Sequence, residues 1–325
     1  MHPNASAGTN YLWSWDQILS EERGSLPACR SCHRARSTDE ARRWWRVTTG
    51  LVQSPRWRGL LVIILGVLAL AALVVVAPFP QDPRYHAFPD QRSFVEIPFA
   101  LNVLSNAPFL LVGAMGLWFL LHRADTGPYS PFIESQERWP FVGFFAGLFL
   151  TGLGSAYYHW APSNATLLWD RLPITILIMS LFAGVIGGRV SPKAGSASLF
   201  PLVALGIGSV VYWYWSELHG VGDLRFYAFV QFGPVLFIPV MLVLFPDRYT
   251  RASDFWAALG LYMLAKVFEY FDAEVFALGR LVSGHMLKHL AAAVSAYWIL
   301  RMLKARRPIE KPIPLLQSQT NTRSD

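Results

Sequence analysis

The chain has 325 residues, of which 53% are hydrophobic and only 15% are charged, whereas an average soluble domain has about 25% charged residues. This composition excludes an intrinsically disordered protein and argues against a water-soluble globular domain. The formal net charge of +7 would fit either nucleic acid or an anionic membrane surface as a partner, and the position of the basic residues decides between them.

Eight apolar segments are predicted to form transmembrane helices, each with the predominantly apolar composition, over about 20 residues, that crossing a bilayer requires. In chain order they cover residues 59–78, 97–121, 139–159, 172–188, 197–215, 226–245, 255–271 and 282–302. The first segment lies too far from the amino terminus for a cleaved signal peptide. We therefore interpret it as a retained membrane anchor.

Basic residues flank both ends of this set of segments. Eight arginines lie between residues 30 and 58, and Arg301, Lys304, Arg306, Arg307 and Lys311 follow or end the last segment. Because cytoplasmic flanks of membrane helices are enriched in lysine and arginine, both termini are predicted to be cytoplasmic. Membrane topology thus accounts for the positive charge, and no nucleic-acid partner is predicted.

Histidines in the last segment suggest a metal site. His285 and His289 are four residues apart, which places both imidazoles on one face of a helix. The same spacing occurs in H-E-x-x-H metalloproteases, but the glutamate of that motif is missing here. A catalytic base would have to come from another part of the chain.

A second polar cluster lies around the end of the third segment and the start of the fourth. Ser155 and His159 are again four residues apart, and Asp170 directly precedes Arg171 and lies close to Pro173. Locally, Asp170 could equally be a helix cap or an ion-pair partner of Arg171, with the proline in the first helical turn. A functional role is the alternative, because ionisable residues at membrane depth are functional candidates by default.

The predicted topology brings these two clusters together. With a cytoplasmic amino terminus, His159, Asp170, His285 and His289 all reach the outer, non-cytoplasmic end of the bundle. Three imidazoles with one open coordination position are typical of catalytic zinc. The sequence therefore predicts His159, His285 and His289 as zinc ligands.

These motifs resemble those of the alkaline ceramidase family, part of the CREST superfamily that also includes adiponectin-receptor-like proteins. The shared pattern is Ser155-x-x-x-His159, Asp170 and His285-x-x-x-His289, and it includes an N-x-x-S-N motif from Asn102 to Asn106. The resemblance implies a zinc-dependent amidohydrolase that cleaves ceramide, or a ceramide-like membrane lipid, into a sphingoid base and a fatty acid. It further implies that Asp170 takes a proton from the attacking water and that Ser155 steadies that water or the oxyanion.

The resemblance also implies an all-α membrane fold in which a seven-helix ceramidase-like bundle carries one extra amino-terminal transmembrane helix. The corresponding domains are a basic cytoplasmic tail (1–57), the extra helix (58–79), the seven-helix domain (80–303) and a second basic cytoplasmic tail (304–325). Animal ceramidases bind calcium through an acidic loop. The stretch with Asp90 and Glu96 does not align with that loop, so calcium is not predicted with the zinc.

Because the same superfamily includes receptors, the resemblance leaves a second class of function open. The alternative is a lipid-binding or receptor-like membrane protein without catalytic turnover. Asp170 discriminates between the two, because a binding protein has no need of a base. Oligomeric state and protein partners are not predicted.

Several further residues have competing interpretations. Lys266 and Glu269 are predicted to form an intramembrane ion pair, with Lys288 as a lysine extending to the membrane surface. Alternatively, Lys288 or Glu269 orients one of the metal-binding histidines. The aromatic cluster 212–215 is predicted to be an outer interfacial belt or, alternatively, part of a lipid entrance.

The two cysteines of the chain, Cys29 and Cys32, exclude a disulfide framework for the membrane bundle. Followed by His33, they match the C-x-x-C-H string of c-type haem attachment. The predicted cytoplasmic location of this tail argues against haem. A metal bound by the tail, or no role, is the preferred interpretation.

Overall fold

The structure, a computed structural model, describes residues 55–124 and 130–309. Regular structure in these residues is helical, apart from two isolated β-bridges. The α-helices are α1 (Pro55–Val75), α2 (Ala100–Leu104), α3 (Ala107–Trp118), α4 (Arg138–Trp160), α5 (Asn164–Arg189), α6 (Pro192–Leu218), α7 (Arg225–Leu244), α8 (Asp254–Tyr270), α9 (Asp272–Gly279) and α10 (Gly284–Ala305). The predicted all-α fold class is confirmed.

Six helical segments of the described chain are long and apolar enough to cross a membrane, which makes this a multi-pass membrane protein. They are Trp57–Val75, Ala100–Arg123, Ser135–Trp160, Asn164–Arg189, Pro192–Leu218 and Arg225–Leu244. The last two predicted segments are helical as well, but α8 has only 17 residues and α10 contains two histidines and three basic residues. The count of eight spans therefore stays a prediction.

Serine side chains define the beginnings of three long helices. Ser163, Ser191 and Ser283 each accept a hydrogen bond from a backbone N–H in the first turn of α5, α6 and α10. Such caps satisfy donors that have no partner within the helix. Because Ser163 caps α5, the helix starts well before the predicted residue 172, and the capping interpretation of Asp170 is wrong.

A glycine brings α4 into direct contact with α5 beside the histidines. A Cβ atom on Gly154 would lie 2.0 Å from the carbonyl oxygen of Trp169. Small residues permit such close approach of helix backbones within membranes. The contact holds Ser155 and His159 of α4 against the turn of α5 that carries Asp170.

A second glycine has the same effect on α10. A Cβ on Gly284 would lie 2.2 Å from the carbonyl oxygen of Phe268 and 2.7 Å from Cα of Asp272. The start of α10, with His285, is thereby packed against the junction of α8 and α9. Both metal-site segments are thus positioned by backbone-to-backbone contacts.

Helix α1 differs from the rest because its apolar surface is largely uncovered. Its spanning segment contains no buried residue. Near its end, the Arg225 guanidinium donates hydrogen bonds of 3.0 and 2.7 Å to the carbonyl oxygens of Leu73 and Val76. An apolar helix with such exposure is suited to lipid contact.

Replacing Gly154 by Ala should separate α4 from α5. We expect destabilisation of about 1–3 kcal/mol, typical of overpacking, together with weaker metal binding because His159 moves. Thermal unfolding in detergent and metal titration would measure both effects. Gly208→Ala on α6 is the matched control, because nothing lies within 4 Å of its added Cβ. Equal melting temperatures for the two variants would contradict the proposed role of Gly154.

Candidate metal centre

Three imidazoles from two distant stretches of the chain meet at one end of the bundle. His159 lies in the last turn of α4, while His285 and His289 lie in the first two turns of α10. Their exposed fractions are 1%, 5% and 3%, and one potential ligand atom from each lies within 4.8 Å of the others. The described residues contain no other group of this kind.

The rings fit a metal ion in their detailed geometry. Nε2 of His159 lies 3.1 Å from Nε2 of His285, and nitrogens bound tetrahedrally to zinc at about 2.0–2.1 Å are roughly 3.3–3.4 Å apart. Burial of three imidazoles in an apolar bundle favours their neutral form, which is the form that ligates metals. The residues present therefore fit a metal ion, whose identity the geometry does not specify.

A serine from the N-x-x-S-N motif orients one of the three rings. The Ser105 hydroxyl lies 2.7 Å from Nδ1 of His289 and donates its own proton to the Asn102 carbonyl at 3.0 Å. Nδ1 of His289 is then the protonated nitrogen, and Nε2 carries the free lone pair. A hydrogen bond of this kind fixes the tautomer of a metal-binding histidine.

Hydrogen bonds also fix the beginning of α10. The backbone N–H of His285 donates to Asp272 Oδ1 at 2.8 Å. The hydroxyl of Ser283, which caps α10, lies 3.3 Å from the side-chain oxygen of Asn102. Asn102 thus connects the short helix α2 to both ligand-bearing turns of α10.

Asp170 and Ser155 lie next to the histidine cluster. Both residues are buried, and both line the same cavity as His289. Oδ1 of Asp170 is buried without a hydrogen-bond partner. This carboxylate oxygen is free to bond to a group that enters the cavity.

Arg171 does not form the predicted ion pair with Asp170. Its guanidinium donates to Gln81 Oε1 at 2.5 Å and lies over the rings of Trp213 and Tyr227, at 4.1 and 4.5 Å from their centroids. Trp213 is fully buried by this contact, so the predicted interfacial belt is wrong for this tryptophan. Pro173 also lies inside α5 rather than in its first turn.

The connection between α1 and α2 covers the cluster with an aromatic ring. Phe88 is 4% exposed, and its ring centroid lies 4.7 Å from those of both His159 and His285. In the same connection Arg92 pairs with Asp90 and donates to the carbonyl oxygens of Arg280 and Leu281 at 2.6 and 2.9 Å. These bonds fasten the covering loop to the segment before α10.

The ion pair with Arg92 also engages Asp90, the acidic residue of the covering loop. Hydrogen bonds from Arg92 hold the pKa of Asp90 below its usual value, so Asp90 stays ionised and paired. Glu96 is exposed and contributes to no candidate metal group among the described residues. The acidic loop residues therefore give calcium no support.

The cluster is open towards the interior of the bundle instead. A cavity of about 190 Å³ is bounded by Ser155, Asp170 and His289 at one end. Away from these residues the lining is mainly apolar, with Phe144, Leu148, Ile178, Leu181, Ile238, Phe255, Ala258 and Ile299 among its members. The cavity thus has a polar end, formed by Ser155, Asp170 and His289, and an apolar remainder, which we call the apolar slot.

Three charged residues form a chain of ion pairs in the wall of this cavity. Lys266 Nζ lies 2.5 Å from one oxygen of Glu269, and Lys288 Nζ lies 3.0 Å from the other. The predicted Lys266–Glu269 pair is confirmed. Lys288 joins this pair rather than extending to the surface, and Ser105 rather than Lys288 orients His289.

Two residues beside the histidines, Ser105 and Phe88, were not predicted as site residues from the sequence. Ser105 stood out through its motif, but its partner in α10 is 184 residues away. Phe88 has no motif at all. The cysteine pair with His33 lies outside the described residues.

Comparison of the chain with protein-family models and with curated proteins finds no match in either case.

Removing the Ser105 hydroxyl should weaken metal binding. Ser105→Ala leaves Nδ1–H of His289 unpaired, and loss of such a partner typically lowers metal affinity 10- to 100-fold. Titration against a competing chelator measures the affinity. Ser209→Ala is a suitable control, because Ser209 bonds only to a backbone oxygen within α6. Unchanged affinity in Ser105→Ala would refute the orienting role.

Removing the Phe88 ring should open the loop side of the cluster. In Phe88→Ala we expect a chelator to strip the metal severalfold faster, because water and chelator reach the histidines directly. Phe94→Ala in the same connection is the control, since Phe94 is 66% exposed. Identical stripping rates, measured by stopped-flow with a metal indicator, would show that Phe88 is not the barrier.

Proposed function

We propose that this chain is a zinc-dependent membrane amidohydrolase that cleaves the N-acyl bond of ceramide or a ceramide-like lipid. The products are a sphingoid base and a fatty acid. The observation that carries the proposal is the single cavity that joins His289, Ser155 and Asp170 to an apolar slot. Hydrolysis of a lipid amide needs this combination of a reactive polar head and room for a hydrocarbon chain.

Zinc suits the donor set best. Three neutral imidazole nitrogens from His159, His285 and His289 leave a fourth position open, which is the arrangement of catalytic rather than structural zinc. When bound, zinc supplies Lewis acidity for activating water and polarising the amide carbonyl. The remaining steps belong to side chains of this chain.

Asp170 is the general base and then the general acid. Asp170 lines the cavity and its Oδ1 has no hydrogen-bond partner, so this carboxylate would accept a proton from the attacking water. The same proton is then delivered to the leaving nitrogen, which must be protonated before the carbon–nitrogen bond breaks. One carboxylate thus performs both proton transfers.

Ser155 positions this base. Its hydroxyl lines the same cavity as Asp170, where a hydrogen bond to the carboxylate would restrict the rotation of that group. Because Ser155 lines the same cavity as His289, the same hydroxyl would donate to the oxyanion of the tetrahedral intermediate. Electrostatic stabilisation of this kind is a major contribution to catalysis in sites that exclude water.

The apolar slot is the proposed site of the acyl chain. Along α10, the lining extends from His289 to Ile299, which corresponds to roughly 15 Å at about 1.5 Å per helical residue. A hydrocarbon chain lying there would place its carbonyl at the histidines. The described helices around the slot would shield the reaction from bulk water, as Phe88 does from the loop side.

The membrane arrangement is part of the same proposal. Helices α2 to α10 would form a seven-span ceramidase-like bundle, and α1 would be an additional amino-terminal span. Basic residues such as Arg189, Arg248 and Lys304 lie at the end of the bundle opposite the histidines. This distribution supports cytoplasmic termini and an active site on the outer, non-cytoplasmic side.

The decisive experiment follows metal content and fatty-acid release together. In detergent or nanodiscs, wild-type protein should contain about one zinc per chain and release fatty acid from labelled ceramide. His289→Ala should lose both zinc and activity. Asp170→Asn should retain zinc but lose activity by roughly 100-fold or more, because a general base typically contributes 10²–10⁴-fold.

Each negative outcome has a definite meaning. Wild-type protein without bound zinc after metal reconstitution would remove the mechanism. Zinc binding and ceramide binding without any turnover, unaffected by Asp170→Asn, would instead identify a receptor-like lipid-binding protein.

A further inference from the structure

The ion-pair chain in the cavity wall carries an unbalanced positive charge. Lys266 and Lys288 share one carboxylate, Glu269, and the side chains of all three are only 18–25% exposed. Ionisable groups at membrane depth are costly and are normally matched in charge. One lysine would suffice to neutralise Glu269, so the second needs another explanation.

The two ammonium groups retain unused hydrogen-bond donors. Each ammonium has three N–H bonds, and in the described structure each makes one hydrogen bond, to an oxygen of Glu269. Lys266 Nζ also lies 5.7 and 6.0 Å from the ring centroids of Phe232 and Tyr262, which do not accept its remaining N–H bonds as an oxygen would. Donors therefore remain for an acceptor that enters the cavity.

Asp170 is the remaining carboxylate of the cavity lining, but it does not pair with either lysine. No hydrogen bond or ion pair joins it to Lys266 or Lys288 within residues 55–124 and 130–309. Lys288 interacts with Asp170 through charge alone, so the N–H donors of both lysines stay available to a ligand.

The position of the lysines relative to the slot indicates which part of a ligand they meet. Lys288 directly precedes His289 on α10, and Lys266 and Glu269 lie near the end of α8 on the same cavity. The acyl chain of the proposed substrate would extend from this polar end into the apolar slot of the same cavity. The group beside the lysines then belongs to the amine-derived part of the lipid.

We propose that Lys266 and Lys288 bind an anionic group, a carboxylate or phosphate, on the amine-derived part of the N-acyl lipid. This substrate class rests on the proposed amidohydrolase function, whereas anion binding by the two lysines can be tested without it. Glu269 holds the two ammonium groups apart and in place. A neutral headgroup would leave their free donors without a charged acceptor.

Two lipids that differ at one group provide the test. N-dodecanoylglycine and N-dodecanoylethanolamine have the same chain and amide, but the first ends in a carboxylate and the second in a neutral hydroxymethyl group. Full-length protein in detergent is titrated with each lipid by calorimetry, and hydrolysis of each is measured separately. Dodecanoate, the common product, is titrated as a third ligand.

Wild-type protein should bind the glycine lipid roughly 10- to 100-fold more tightly, the range expected for a hydrogen bond between charged groups. Lys266→Met and Lys288→Met should each abolish this preference, because each leaves only a neutral lysine–glutamate pair. Lys288→Arg should restore much of it. Lys304→Met is the control, because Lys304 lies exposed at the far end of α10, and it should keep the wild-type preference.

The outcomes separate the two proposals. The anion site is overturned if wild-type protein does not bind the glycine lipid more tightly than the ethanolamine lipid. It is also overturned if this preference survives both lysine-to-methionine substitutions. Lysine-dependent binding of dodecanoate without preference for the glycine lipid also overturns it, because the lysines would then hold the product. Lysine-dependent binding of the glycine lipid without hydrolysis of either lipid supports the anion site and rejects the amidohydrolase.

Discussion

The structure depends on the burial of three imidazoles in an apolar helical bundle. Each ring has two nitrogens, and a buried polar atom without a hydrogen-bond partner is costly in an apolar environment. Ser105 satisfies one nitrogen of His289, and a shared metal ion would satisfy the nitrogens that face each other. The close helix contacts at Gly154 and Gly284 exist on either side of this cluster, so packing and ligation reinforce one another.

The surrounding chain closes one side of the histidine cluster and leaves the opposite side accessible. The Phe88 ring closes the side that faces the connecting loop, and the Asp90–Arg92 pair fastens that loop to the segment before α10. The cavity leaves the opposite side open, towards apolar side chains. A site arranged in this way receives an amphiphile from within the bundle and strengthens electrostatic interactions by excluding water.

Buried charge is handled in two different ways near the site. The Arg171 guanidinium is held by Gln81 and by aromatic faces, where cation–π attraction offsets part of the cost of desolvation. Lys266 and Lys288 instead share Glu269 and face the cavity. Lys266 and Lys288 line the cavity, whereas Arg171 does not, which is why the lysines rather than the arginine are candidates for ligand binding.

The sequence by itself determined the helical class and pointed to the three histidines that meet in the structure, since these follow from composition and from spacings of four residues. His285 with His289, and Ser155 with His159, share helix faces because of local geometry alone. Tertiary structure decided that Ser105 bonds to His289, that Phe88 covers the rings and that Lys288 joins Glu269. These contacts depend on which faces of distant helices meet, and one-dimensional periodicity carries no information about that choice.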